Sequence, residues 1–402
     1  MKNLPNIYVY IFSALFAIIP FTEHLQAVPN ILMGILICIF PFVVKKSDWQ
    51  LLTTKTIYFF LALILIVLVG ILLNKRWEDF SFLSKIILAP VLLVLTIPVK
   101  DYKKPLYFFL AGSLTILFLS AINLTKYYLI HHNLKMDVGQ EVNQLLMGER
   151  PYLGFIYLIS FCLCVCLSKI EKKSVVKKLI YTCAVLLCVF ILLISARLSI
   201  LSMALILGSS FFFAKNKKRT FFISFGGISL LVLLAVFNPN FMNRFTAGFE
   251  QEKFEFDKIV SFEPRSHIWG CSVQIGGIKE VPILGYGFRN TINKLTECYS
   301  TRDKFLNEAH KAFFVESRFN THNQFLNFYL SSGLISLIFF FLFFFFLFRT
   351  NFSNYTLFAL TLGLFLFCSV ENVLSRQLGA MLFGVVVSFL FLIRNYLIYS
   401  RK

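Results

Sequence analysis

Long apolar runs alternate with short polar connections along almost the whole chain. Twelve runs have the length of a bilayer-spanning helix, roughly 6–22, 28–44, 57–73, 82–98, 105–125, 152–168, 179–195, 198–214, 220–237, 324–348, 355–372 and 377–396. A transmembrane barrel would show shorter segments that alternate residue by residue. The expected fold class is therefore all-α: a polytopic membrane protein with about 12 transmembrane helices. One connection breaks the rhythm, Asn238 to Asn320. Connections beyond about 12–15 residues are usually functional or disordered. This one carries aromatics, two cysteines and glycines, which predicts a folded loop containing short helices. Pro264 at a first helical position, followed by Arg265, Ile268, Trp269 and Ser272, predicts one of them. Lys126 to Pro151, with His131, His132, Asp137, Glu141, Glu149 and Arg150, reads as a second, solvated loop. The phenylalanine run from Phe339 to Phe348 reads as a lipid-facing half-helix.

Composition sharpens this picture. Of 402 residues, 58% are hydrophobic, and the mean hydropathy is +0.75. Ile7 to Pro20 is apolar, but no small-residue cleavage site follows it, so a cleavable signal is not expected. The net charge of +19 invites a nucleic-acid partner, yet its placement excludes one. Twenty of the 39 basic residues fall at span ends on a single side, opposed only by Asp48, Asp101 and Glu171. That is the positive-inside bias. It puts both termini in the cytoplasm and Asn238–Asn320 outside. Seven of the nine cysteines lie in or beside spans and read as small buried side chains. No Cys/His spacing resembles a zinc site. Cys271 and Cys298, in the outer loop, either form a disulfide or stay as buried thiols.

The residues able to carry chemistry gather on the outer side. Arg197 sits in Ser195-Ala196-Arg197, a tight turn between spans, where a guanidinium is costly unless it has a task. Arg265 starts the loop helix. Val281-Pro282-Ile283-Leu284-Gly285-Tyr286-Gly287 offers a tight turn in which Gly285 and Gly287 would let backbone approach a ligand. His322, followed by Asn323 where the loop re-enters the membrane, either caps the helix or moves a proton. Glu371 lies in the last outer turn and either pairs with Arg376 or serves the site. Lys85, near an outer helix end, is a further candidate cation.

This ordered set resembles the O-antigen ligase family: Ser195-Ala196-Arg197, Arg265 to Trp269, Pro282 to Gly287, His322-Asn323 with Gly333, and the Glu371–Gly379 turn. The resemblance covers about Leu179 to the C-terminus, which divides the chain into N-terminal spans (1–178) and a ligase-like region (179–402) holding the loop (238–320). Many members carry a further His where this chain has Thr321. The resemblance implies a membrane-embedded glycosyltransferase in a bacterial inner membrane, facing the periplasm. Its donor would be a glycan on undecaprenyl pyrophosphate, and its acceptor a sugar hydroxyl of lipid A core or another glycan. By the same resemblance, Arg197 and Arg265 bind the pyrophosphate and His322 is the general base. The residues agree, because arginine forks suit phosphate oxygens. No cofactor or metal is expected, since the carboxylates are scattered; Glu255 and Asp257 are the only Glu-x-Asp pair in the long loop. A polysaccharide polymerase and a protein O-glycosylating ligase share the same donor chemistry. A flippase would instead place its polar residues at mid-membrane.

Overall fold

The computed structural model describes residues 3–52, 55–132, 143, 145–238, 264–277, 280–302, 305 and 307–399. Among them every regular element is helical. In chain order the α-helices are α1 (Leu4–Ile18), α2 (Ala27–Val43), α3 (Lys55–Leu73), α4 (Phe80–Thr96), α5 (Lys103–His131), α6 (Arg150–Ile170), α7 (Ser174–Leu193), α8 (Arg197–Phe213) and α9 (Lys217–Val236). The outer loop adds α10 (Pro264–Ile275), α11 (Phe288–Thr301) and α12 (Glu308–Ser317), and α13 (Gln324–Asn351), α14 (Tyr355–Val370) and α15 (Gln377–Tyr399) complete the chain.

Nine helices among the described residues are long and apolar enough to cross a membrane, and α2, α8 and α14 are shorter apolar helices of 16–17 residues. At 1.5 Å per residue the shorter ones span about 25 Å, just under a typical hydrocarbon core. All twelve stand where the hydropathy pattern puts a span. The bundle packs α1 on α5, α3 on α13, α4 on α15 and α6 on α7, with α14 against α6 and α8. In α6 and α15, 78% of the most apolar stretch is buried, against 17% in α9, so α6 and α15 are central and α9 is peripheral.

Two expectations change. Lys126 to His131 continues α5 by more than a turn, and the helix ends at His132 in a left-handed conformation (φ 52°). Asp137 and Glu141 lie outside the described residues. The phenylalanine run is not simply lipid-facing. Phe340, Phe343, Phe344 and Leu347, at helical i, i+3, i+4 and i+7 spacing, are buried, and Phe341 and Phe345 are exposed. The buried rings pack against Phe60, Phe383 and Phe365 from α3, α15 and α14 in tilted, stacked and edge-on contacts respectively. Periodicity cannot reveal a packed stripe when every position is apolar.

The loop helices enclose a small core of their own: Ile268, Cys271, Leu295, Cys298, Tyr299 and Phe314. Cys271 and Cys298 form a disulfide between α10 and α11, with Cα atoms 5.8 Å apart. This cap is locked to the bundle at the glycine turn. α13 breaks at Gly333 (φ 86°), and the Tyr286 and Gly287 N–H groups donate to the carbonyls of Leu330 and Ser331 (2.8 and 2.9 Å). Gly285 (φ 67°) passes so close to Ser331 and Ser332 that a Cβ would collide with their backbone. The N-terminal half adds the bolt. Arg76 donates to the carbonyls of Leu284 (3.2 Å) and Gly285 (2.7 Å), and buried Asp79 accepts from the N–H groups of Phe288 and Arg289 (3.0 and 2.9 Å) at the start of α11.

Candidate active site

A cavity of about 330 Å³ opens between the cap and the outer helix ends. It is lined by Arg150, Arg197, Arg265, His322, Glu149 and Glu371, with apolar side chains between them. Each arginine stands in the first described turn of a helix: Arg150 begins α6, Arg197 begins α8, and Arg265 follows Pro264 in α10. Helix N-termini carry about half a positive charge and unpaired N–H groups. Arginine there is electrostatically unfavourable by itself. Three such starts converge on one cavity, an arrangement whose chemistry suits an anion of more than one charge.

Local packing explains the convergence. Gly154 of α6 lies against the start of α8, where a Cβ would come within 2.5 Å of Ser199 Oγ and 2.7 Å of Ala196 Cβ. Only a small residue lets the two helix starts, and thus Arg150 and Arg197, come this close. The turn before Arg197 places Ser195 at φ 51°, and the Asn238 amide donates to Leu192 O (2.8 Å) and Ser195 Oγ (3.3 Å) across it.

His322 and Glu371 form the polar floor. Arg265 Nη2 donates to Glu371 Oε1 at 2.6 Å, and His322 Nδ1 lies 3.1 Å from Glu371 Oε2. Burial pushes the Glu371 carboxyl up, but the His322 hydrogen bond and charge, with the Arg265 guanidinium, outweigh it and hold the group below the usual carboxylate range. An ionised Glu371 accepts from Arg265, and a His322 protonated on Nδ1 would donate to its other oxygen. His322 has φ 41°, a left-handed conformation that costs a β-carbon residue about 1–2 kcal/mol. The neighbours hold it there. Asn320 Oδ1 accepts from the His322 N–H, Thr321 Oγ1 and the Asn323 N–H donate to Asn372 Oδ1, and Trp269 Nε1 donates to Thr321 O. Strain maintained by so many contacts is typical of functional positions.

The structure thus brings Arg197, Arg265, His322 and Glu371 to one cavity. It does not bring Lys85, whose ammonium lies 5.2 Å over the Phe82 ring in α4 and which is not among the lining residues. Gly285 and Gly287 face α13 and Asp79 rather than a ligand, because the turn is consumed in locking the cap. Asn323 caps α13, its Oδ1 accepting from Phe325 and Leu326 N–H while its amide donates to Ser369 O. Glu371 does not pair with Arg376, which pairs instead with Glu149. Burial, reinforced by the Glu149 charge, pushes the neighbouring Glu23 carboxyl up.

Arg150 and Glu149 escaped the sequence reading because they end a polar segment. A signal was present: Glu149-Arg150-Pro151 echoes Glu263-Pro264-Arg265, an arginine beside proline at a helix start. Among the described residues no cluster of three His, Cys, Asp or Glu side chains could share a metal ion. Glu255 and Asp257 lie outside the described residues. No curated protein matches the chain. Residues 182–341, which hold Arg197, Arg265 and His322 but neither Arg150 nor Glu371, match the family model Wzy_C, described as O-antigen ligase, and this match supports the O-antigen ligase family for that region.

Proposed function

We propose that the protein transfers a glycan from undecaprenyl pyrophosphate to a sugar hydroxyl of lipid A core, at the periplasmic face of a bacterial inner membrane. The observation that carries this reading is the joining, in one cavity, of three helix-start arginines with a histidine held by a buried carboxylate. Arg150, Arg197 and Arg265 hold the pyrophosphate, where guanidinium forks need no deprotonation and fixed charge acts strongly away from bulk water. The acceptor oxygen attacks the anomeric carbon as its proton passes to His322 Nε2. The bond from that carbon to the pyrophosphate oxygen breaks, and its electron pair leaves with the pyrophosphate. Base and leaving group lie on opposite faces of the carbon, so the configuration inverts. Glu371 stabilises the imidazolium that forms. The leaving charge is met by arginine, so the reaction runs without a metal. The Cys271–Cys298 disulfide supports an oxidising compartment on this side. The polar residues collect at helix ends on one face rather than at mid-membrane, which favours an enzyme over a flippase.

Deleting the gene and separating surface glycans by gel tests the assignment. Loss of lipid A-attached chains while lipid-linked chains are still made supports ligation. Lipid A carrying single repeats makes the protein a polymerase, and unchanged glycans overturn the reading. A topology reporter fused at Glu280 should be active only in the periplasm; cytoplasmic activity there would remove the site from the donor's side.

A further inference from the structure

Two aromatic rings in the cavity have no part in the transfer just described. Phe313 of α12 and Phe319, just beyond that helix, line it on the cap side, with ring centroids 5.4 Å apart. The Phe319 ring lies 5.8 Å from that of His322. Phe319 is tied to the cap core through Phe314 at 5.2 Å, whereas Phe313 is 49% exposed. Phe314, its neighbour in sequence, is fully buried, so α12 turns one ring into the cap core and the other into the cavity.

An exposed ring on an outer loop could instead dip into lipid. The rest of α12 speaks against that: its other exposed positions are Glu308, Ala309, Ala312, Glu316 and Ser317, with no second large apolar side chain. A membrane-seeking helix would carry an apolar stripe. The same polar surroundings argue against a prenyl chain on Phe313.

We infer that Phe313 and Phe319 form the platform on which the acceptor's pyranose ring lies. This rests on the transfer proposed above. A pyranose has a face of C–H groups polarised by neighbouring oxygens and a rim of hydroxyls. The negative face of an aromatic ring attracts such C–H groups, and the hydroxyls remain free for polar partners. The platform adjoins the base through Phe319, so the sugar it holds is the one that loses a proton. Arg150 and Arg197 come from the membrane helices on the other side of the cavity, where the pyrophosphate leaves. The cap's aromatic rings thus select the acceptor, while Arg150 and Arg197 of the bundle, with Arg265 of the cap, hold the donor.

Saturation-transfer NMR on the full-length protein in nanodiscs, with methyl β-D-galactopyranoside as probe, tests this. Saturation should favour the ring protons on the apolar face. Phe313→Ala and Phe313→Leu should weaken it roughly 3–10-fold, the scale of one aromatic contact, and Phe313→Tyr should retain it. Phe313 is the residue to change because it is exposed; an intact Cys271–Cys298 bond confirms that the cap is folded. Saturation equal in wild type and Phe313→Ala, absent in wild type, or retained in Phe313→Leu overturns the platform, the last result assigning the ring to lipid. Binding of undecaprenyl pyrophosphate by the wild type is measured alongside. Its absence would refute the transfer reading separately, whatever the sugar probe shows.

Discussion

The cap meets the membrane helices at two charged contacts built from the same residue types. In the lock, Arg76 and Asp79 face a glycine turn, and both are consumed by backbone: the guanidinium by two carbonyls, the carboxylate by two helix N–H groups. In the cavity, Arg150, Arg197 and Arg265 line open space of about 330 Å³ beside His322. The lock holds a cap in place. The cavity sets charged side chains beside open space. Arginine, carboxylate and glycine at a membrane edge therefore do not by themselves signal a site; what matters is whether they line a cavity or close on backbone.

Substitutions should separate the two contacts. The largest effect is expected at His322: His322→Ala should lower transfer on the order of 10³-fold, while undecaprenyl pyrophosphate binding, measured directly, stays near wild type. Equal losses of both would make His322 a structural cap. Next come the arginines. Arg150→Ala or Arg197→Ala should cost about 10²–10³-fold in transfer, and lysine should restore little because it lacks the planar fork. If Arg150→Ala is fully active, the third helix start does not belong to the anion site.

Glu371→Gln should reduce transfer on the order of 10²-fold and move the acid limb of the pH–rate profile to lower pH, because the imidazolium loses its counter-ion. Stability gives an independent reading. The folded Glu371 carboxyl sits below its ordinary range, so its contribution is present above that range and is lost as pH falls through the folded value. The wild-type melting temperature should fall with acidification through that window, and the Gln variant should show less of the decline.

At the lock, Asp79→Ala should cost about 1–2 kcal/mol of stability through the lost cap, visible as a lower melting temperature. Transfer per folded molecule should hold. A fall in turnover without a fall in stability would give the lock a part in the chemistry. The smallest effect is expected from excess EDTA, which should leave transfer unchanged. Loss restored by magnesium would transfer the charge-neutralising role from arginine to carboxylates, with Glu255 and Asp257 the first to test.

Arg197 and His322 were legible because each stands at the end of an apolar span, where a polar side chain is conspicuous, and Arg265 because Pro264 marks it as opening a helix in the long loop. Lys85 met the same criterion and lies elsewhere, stacked on Phe82 of its own helix. Arg150 met it too, at the start of the span 152–168, but as the close of a polar segment it looks solvated until α6 and α8 are packed through Gly154. Gly285 and Gly287 were rightly read as a tight turn, but the close backbone approach they permit is made to a broken helix, which receives the N–H groups of Tyr286 and Gly287.

What the sequence determined by itself is local: the apolar helices, the long polar loop between two of them and the kinds of group gathered there. Hydropathy and charge act on each segment separately, so they can be read segment by segment. Tertiary structure alone decided the pairings. Arg265 meets Glu371 across 106 positions and Arg289 meets Asp79 across 210. Nothing in either segment specifies its partner until the helices pack. In a fold held by apolar burial and close helix contact, packing settles which charges meet one another and which line a cavity.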